Sequence, residues 1–524
     1  MIYMTDDIVF GIDFGTTSSC VSYFTKKDNK FTVIKNKNGK DITPSIVYFE
    51  PDSDNILFGE DALEIYSLKS TKKQNFFTNI KRLIGKELST LDINTGRFFD
   101  KNVIKINNFV ICRKGELVEI SYVDIIKSYI YHLKEMIFLT IQHKIQKIDV
   151  VITVPAYYNE LQRNILKKCF IDCNLNVIRI LNEPIAATLY STYINRNLDK
   201  EYNTLVFDCG GGTTDISIVH IDKYENVYDV LEVVGDNYLG GMDITQCLVD
   251  FFSSKTNVSD DKLRVYCEKL KCDLTYKVNA LLYLESCDYR FTMSRNMFNS
   301  ICEPFYKKID LLLSKLDNDF FDISEIIFIG NSSVIPFLQY KVLKKFVKAQ
   351  KRDDINKETT VSLGAALMGV LLKGLFKDVN DFKDTLLIDI THLSLGVETE
   401  NGIMCPIISK NTIIPTSKTV EFTNSEKNDK IDINIYQGEN RYVKDNFLIE
   451  KCILKNVPKS EKNSLVIKVT FSINSDGILS VVAKLKNDES INVIIEKNIS
   501  SDIKINETRM KQIDKIENEK IDKI

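Results

Sequence analysis

One stretch constrains this fold more than any other. Leu205-Val206-Phe207-Asp208-Cys209, a buried-type strand, breaks into Gly210-Gly211-Gly212-Thr213-Thr214-Asp215. Three consecutive glycines have no Cβ to block a phosphate, and their amides can point at its oxygens. The hydroxyls of Thr213 and Thr214 add donors. Asp208 and Asp215 carry the wrong charge to touch phosphate directly and make sense only with a hard cation between. A single glycine loop is more often a plain turn, but a second copy stands near the start. There Ile8-Val9-Phe10-Gly11-Ile12-Asp13 is followed by Phe14-Gly15-Thr16-Thr17. Two copies of strand, Asp, Gly and a Thr pair, about 195 residues apart, predict an internally duplicated domain that clamps a nucleotide's phosphate tail between its halves.

The 524 residues allow about three or four domains, and 44% hydrophobic residues supply several cores. Lys+Arg 69 against Asp+Glu 72 gives a net charge of -3, so no global field draws the chain to nucleic acid or to an anionic membrane. Residues 1–7 hold two acids and no long apolar run, so neither a secretory signal nor a membrane span is readable and a cytoplasmic protein is expected. The 12 cysteines are scattered. Cys169/Cys173 and Cys267/Cys272 have helical spacing but no second pair to complete a zinc set, so buried reduced thiols are expected. His132, His143, His220 and His392 are too dispersed to suggest a histidine-based site.

In chain order, Thr32–Ile34 and Ser45–Phe49 read as strands that complete a small meander, with a turn at Pro44. Phe76–Gly85 reads as a helical turn whose Lys81 either lies on a solvated face or reaches inward. Tyr122–Ile145 predicts a long amphipathic helix, Asp149–Val154 a strand stopped by Pro155, Glu160–Cys173 a helix, and Asn176–Leu181 a strand ending at Asn182-Glu183-Pro184. This is an α/β pattern with parallel pairing. Ligands of such sheets sit at the carboxyl ends of strands, where Asp13, Pro155, Glu183 and Asp208 cluster; a core-capping role for Glu183 is the alternative. Gly235–Gly241 is another glycine turn before helices reaching Leu274, Phe328–Ile329 a strand into a polar turn, and Thr360–Leu372 a small-residue helix. Beyond Asp384–Asp389 the period changes to two across Val420–Gln437, Ser464–Ile473, Gly477–Leu485 and Ile491–Ile495, which predicts a separate all-β domain. Asn506–Ile524 has apolar residues at helical spacing and reads as an amphipathic helix.

These residues resemble the seventy-kilodalton heat-shock chaperone family over about residues 8–510. Gly11–Ser18 is similar to its first phosphate loop, Val154–Tyr158 to its proline switch, Asn182-Glu183-Pro184 to its central glutamate turn and Asp208–Asp215 to its second phosphate loop. Asp384–Asp389 and Leu393–Thr399 resemble its linker and first substrate-domain strand. The resemblance implies an actin-like, two-lobed α/β ATPase domain (1–383), a linker (384–389), a β-sandwich that binds extended peptides (390–500) and a short lid helix (501–524). It implies ATP/ADP with Mg2+, and K+ as a further candidate ion.

Carried over by position, Lys81 orients or activates the attacking water, with Glu183, Asp208 and Thr213 completing the catalytic set. Asp13, Glu183 and Asp208 hold Mg2+ with its waters. Nucleotide contacts fall to Gly15, Thr16, Thr17, Ser18, Gly210, Gly211, Gly212, Gly240, Glu268, Lys271, Thr275 and Gly330. Pro155, Arg163, Leu386 and Leu387 form the relay between domains, and Val397, Glu400, Glu421, Asn424 and Ile431 the peptide site.

The departures are specific. Cys272 and Val334 stand where many relatives sandwich adenine between two arginines. Each cation–π contact contributes about 0.5–2 kcal/mol, so nucleotide binding should be weaker and still present. Asn331 replaces a glycine near the phosphates, and the segment Gly241–Tyr289 is shorter than usual, so the family's exchange factor is not an expected partner, whereas a J-domain co-chaperone is. Glu400, Glu421 and Asn424 replace apolar residues in the peptide groove, where burying unpaired carboxylates would be costly and would favour basic or few clients. The chain stops where relatives continue into a helical lid, which predicts fast peptide exchange. The expected function is a slow, ATP-dependent chaperone; the alternative is a nucleotide-responsive interaction module with little turnover and one dedicated partner. A metabolite kinase is a distant third reading, because it would not need the linker and β domain.

Overall fold

The computed structural model describes residues 8–67, 75–85, 104–105, 108–141, 147–195, 201–316, 321–376, 385–425, 427, 430–455, 457–486 and 488–494. The duplication is visible in its sheets. The first sheet orders its strands Asn176–Asn182, Asp149–Val154, Ile8–Asp13, Ser18–Thr25, Lys30–Val33. The second orders Gln350–Lys351, Ile323–Ile329, Glu201–Cys209, Thr214–Asp222, Val227–Asp236 and then continues outward. In both, the first three strands pair parallel and the hairpin strands antiparallel. The duplicated sequence pattern therefore produces a duplicated sheet pattern, with Asp13 and Asp208 at equivalent places.

The helices Glu183–Ile194 and Thr360–Lys373 pack against each other between the sheets, and both are built from small residues on their shared face. A Cβ on Gly364 would lie 1.9 Å from the Ala186 carbonyl oxygen, and one on Gly11 would lie 2.1 Å from that of Ser362. Glycine is required at both places because backbone meets backbone.

Several expectations are met almost to the residue: the helix Glu160–Asp172, the strand Asp149–Val154 and the helix Thr360–Lys373. Others change. Lys30–Val33 does extend the first hairpin, but Ile46–Phe49 leaves that sheet and pairs with Ile56–Phe58 and Phe76–Thr78. The stretch read as one helical turn is thus a strand followed by a 3-10 turn, Ile80–Leu83. Asn182-Glu183-Pro184 is not a free turn: the strand Asn176–Asn182 runs straight into a helix whose first residue is Glu183, with Pro184 where a missing N–H costs nothing. The long helix ends at Ile141, with residues 142–146 outside the described set.

After the mixed α/β region come two antiparallel four-stranded sheets, and they enclose one core. Leu395, Val397, Ile433, Ile435 and Leu454 from one sheet meet Ile467, Val469, Phe471, Val481 and Ala483 from the other. The strands Ile403–Ile408 and Phe447–Lys455 were not anticipated from sequence. The expected C-terminal helix, 501–524, lies outside the described residues.

The segment Leu386–Ile390 is itself a strand. It pairs parallel with Val227–Asp236, register Val227↔Leu386 to Asp229↔Ile388, and antiparallel with Ile413–Ile414. One continuous sheet therefore reaches from the α/β region into the β region.

Candidate functional site

The two glycine hairpins face each other across a cleft. A Cβ on Gly211 would stand 2.2 Å from the Thr17 methyl carbon, and one on Gly212 would stand 2.6 Å from that of Thr16. Only glycine allows the loops this close. Behind the second loop, the amides of Gly241 and Met242 donate to the carbonyls of Gly210 and Gly211, both at 2.9 Å. That leaves the loop's open side to a ligand.

Most of the expected residues line the cavity between the loops: Asp13, Gly15, Thr16, Thr17 and Ser18 from the first copy, Asp208, Gly210, Gly211 and Thr213 from the second, with Lys81, Glu183 and Gly330. Lys81 reaches inward and is 3% exposed. Its Nζ donates to Glu183 Oε1 at 2.7 Å, and the Tyr158 hydroxyl holds the Lys81 carbonyl at 3.1 Å. Lys81 is therefore not on a solvated face, and Glu183, buried at the start of its helix, faces it.

Negative charge in the cleft exceeds what the chain itself neutralises. Burial, then the Glu183 carboxylate, pushes Asp13 up to about 7. Burial, then Glu183, Asp215 and Asp13, raises Asp208 well above the usual carboxylate range. Asp215, also by burial and then Glu183, is pushed up to about 8. One ammonium, Lys81, counters all three. Such a group of buried carboxylates fits a divalent cation. Among the described residues no three His, Cys, Asp or Glu side chains stand close enough to hold a metal directly, so the fit is to an ion that keeps several waters, as Mg2+ does.

Several expected contacts lie elsewhere. The Thr214 hydroxyl donates to the Leu239 carbonyl at 2.7 Å and is buried, so it is a fold contact and not a phosphate donor. Gly212 accepts from Arg82 through its carbonyl, which ties the two halves together with Asp243. Gly240 packs against the back of Gly211. Glu268 and Lys271 bond each other at 2.7 Å, Lys271 also reaches the Gly241 carbonyl, and the Thr275 hydroxyl bonds the Lys271 carbonyl within the helix. None of these three lines the cavity between the loops, and Glu268 is exposed on the helix Asp260–Tyr276.

Asn331 stands at the mouth, beside Gly330, whose positive φ of 77° and 2.6 Å approach to the Cys209 carbonyl demand glycine. Lys357 and Glu358 also line the mouth and were missed; as an isolated charged pair before a helix they carried no sequence signal. The thiols are free, but Cys272 and Cys287 are exposed rather than buried.

From Glu183 a short path leads out of the cleft. Its neighbour Asn182 accepts from Arg163 at 2.7 Å and donates to Asp389 at 2.7 Å. Arg163 also holds the carbonyls of Ala156 and Tyr158, the segment that follows buried Pro155. Leu386 is largely exposed and Leu387 packs against the α/β core. The β region is fastened by Lys167 to Asp476 at 2.6 Å, by the Ile180 amide to Asp476 at 3.0 Å and by Lys410 to Glu232 at 2.7 Å.

In the β region, Val397 is 4% exposed and belongs to the core, and Ile431 packs against that core. Glu400 pairs with Lys462 at 2.6 Å, and Glu421 with Lys486 at 3.1 Å, all well exposed. The buried, unpaired carboxylates expected from sequence are therefore absent at these two positions, and the argument for basic clients loses its basis. Asn424 is buried and satisfied: its amide donates to the carbonyls of Ser460 and Glu461, and its oxygen accepts from the Leu465 amide.

No helix of the described residues is long and apolar enough to cross a membrane. Comparison with known proteins matches residues 9–523 to the family described as Hsp70 protein. The chain is 30% identical over 514 residues to heat shock 70 kDa protein 2 of Paracoccidioides lutzii, covering 93% of this chain and 76% of that protein. It is 30% identical over 508 residues to heat shock 70 kDa protein of Neurospora crassa, covering 92% and 77%. A Trichophyton rubrum protein of the same name matches at 30% over 514 residues, 93% and 76%.

Proposed function

This chain belongs to the Hsp70 protein family, and from that premise we propose that it is an ATP-dependent chaperone in which the cleft's nucleotide state controls the binding of extended peptide by the β-sandwich. The observation that carries the reading is convergence. Two glycine loops, a buried Lys81–Glu183 pair and a surplus of carboxylates meet in one cleft.

Asp13, Glu183 and Asp208 would hold the hydrated Mg2+ of Mg-ATP or Mg-ADP, which supplies charge neutralisation to the phosphates. The chain's own residues do the rest. The amides of Gly15 to Thr17 and Gly210 to Gly212, with the Thr16, Thr17 and Thr213 hydroxyls, position the phosphates. Lys81, held by Glu183, directs its remaining N–H groups at a water on the phosphate side. Positioning and charge supply nearly all the catalysis in phosphoryl transfer. Glu268, Lys271 and Thr275, on the helix Asp260–Tyr276 outside the phosphate cavity, remain candidates for the sugar and base end of the nucleotide.

The relay runs from Glu183 through Asn182 to Asp389 and Arg163, with Pro155 behind it and Leu386 and Leu387 in the docked strand. We assign residues 1–383 to the nucleotide domain, 384–389 to the linker and 390–500 to the peptide domain. There Glu400, Glu421 and Ile431 are candidate contacts, with Val397 and Asn424 as their support. A J-domain co-chaperone remains the partner this reading calls for.

Single-turnover ATP hydrolysis by the full chain, with and without an extended peptide, tests the proposal. Slow hydrolysis accelerated by peptide is expected. ATP binding without hydrolysis would replace it with a nucleotide-gated adaptor, and no binding would remove the nucleotide reading.

A further inference from the structure

The mouth of the cleft carries two side chains that the phosphate site does not use. Lys357 lines the cavity. Its Nζ donates to the Tyr276 hydroxyl at 3.2 Å and lies 5.9 Å from the centroid of that ring. Tyr276 ends the helix Asp260–Tyr276 and is 72% exposed. Core packing therefore does not account for this ring, yet a lysine that lines the cavity bonds its hydroxyl.

The cavity itself holds only about 70 Å³. That is room for phosphate oxygens and several waters, each of which takes about 10–15 Å³ of such space. A ligand anchored by its phosphates in the glycine loops must place its sugar and base outside, past Asn331 and Lys357. Cys272 lies one turn before Tyr276 on the same exposed helix face. Its small thiol leaves space and offers no flat surface; the Tyr276 ring offers one.

We infer that Tyr276 is the base-recognising residue of this cleft: its ring, steered by Lys357, provides the stacking face for the base of a purine nucleoside di- or triphosphate. The inference rests on the nucleotide reading above and adds to it the side chain that reads the base. Stacking on an aromatic ring favours the larger π-surface of a purine, and the ring's exposure leaves one of its faces open to it. Glu358, on the same rim, offers a carboxylate to sugar hydroxyls.

Calorimetric titration of the full chain with Mg-ADP and with Mg-pyrophosphate, which has no base, tests this. Tyr276→Ala should weaken ADP binding about tenfold, the scale of one base–aromatic contact, and leave pyrophosphate binding unchanged. Tyr276→Phe, which keeps the ring, should hold ADP nearly as well as wild type. Unchanged ADP affinity in Tyr276→Ala overturns the inference and leaves the nucleotide reading intact. Equal losses for both ligands overturn it too, because they assign the tyrosine to the fold of the phosphate end. Wild type that binds neither ligand overturns the nucleotide reading and this inference with it.

Discussion

The cleft and the outer strands of the β-sandwich treat their polar groups in opposite ways. Around the cleft, Asp13, Asp208 and Asp215 each feel the Glu183 carboxylate with one lysine to share, and all three are pushed above the ordinary carboxylate range. On the sandwich, Glu400 and Glu421 have lysine partners in solvent, and Asn424 is bonded on both its oxygen and its nitrogen by backbone. Folding alone does not favour crowded buried charge. It persists where a ligand completes it. The same polar residue types thus stand in different surroundings: in the cleft they are short of counter-charge, and on the sandwich each has its partner.

The strongest way to break this contrast is at Lys81. Lys81→Ala should slow single-turnover ATP hydrolysis by roughly 10²–10³-fold, the cost of losing one preorganised electrostatic group. Hydrolysis at the wild-type rate would remove Lys81 from the mechanism. Next is Asn424→Ala, which leaves two carbonyls and an amide without their partner; denaturant unfolding should show the β region losing about 1–3 kcal/mol. No loss would mean that Asn424 is free for ligand after all.

His392 sharpens the comparison at the boundary between the regions. It is 6% exposed, packs 5.1 Å from the Tyr157 ring, and leaves Nε2 without a hydrogen bond. Burial, then the Arg163 and Lys410 charges, lowers it to about 3. The docked form therefore stays neutral, whereas an opened form takes up a proton below its ordinary value near 6.5. Docking must weaken as pH falls through that window, by about tenfold from pH 7.5 to 5.5. Hydrogen exchange at the Leu386–Ile390 amides reads this directly, and His392→Asn should flatten the dependence. The smallest effect belongs to Glu421→Gln. Its exposed pair contributes about 0–1 kcal/mol, and a larger loss of stability would show that the pair is not merely solvated.

How much of this was legible in sequence follows the same division. The glycine loops were readable because their pattern is local and occurs twice: an apolar strand, an Asp, glycine and a Thr pair. The parallel strands and the helix Thr360–Lys373 were readable for a similar reason, since their burial is continuous along the chain. What sequence did not reveal depends on distant partners. Thr214 looks like Thr213 until Leu239 is seen to claim its hydroxyl. Glu421 looks like a groove residue until Lys486 is found beside it. Lys357 and Tyr276 are 81 residues apart, and nothing in either neighbourhood announces the other. Ile46–Phe49 left the predicted meander to pair with Ile56–Phe58 and with Phe76–Thr78 from further along the chain.

The most direct measurement is amide hydrogen exchange of the full chain with and without Mg-ADP, followed in segments covering Gly11–Cys20, Phe207–Asp215 and Thr416–Asn424. The account predicts strong protection of the two glycine hairpins, whose open amides gain phosphate partners, and little change in the sandwich strand, whose polar groups are already bonded. Hairpins that exchange at the same rate with and without ligand would contradict it, because the unneutralised carboxylates of the cleft would then mark no nucleotide site.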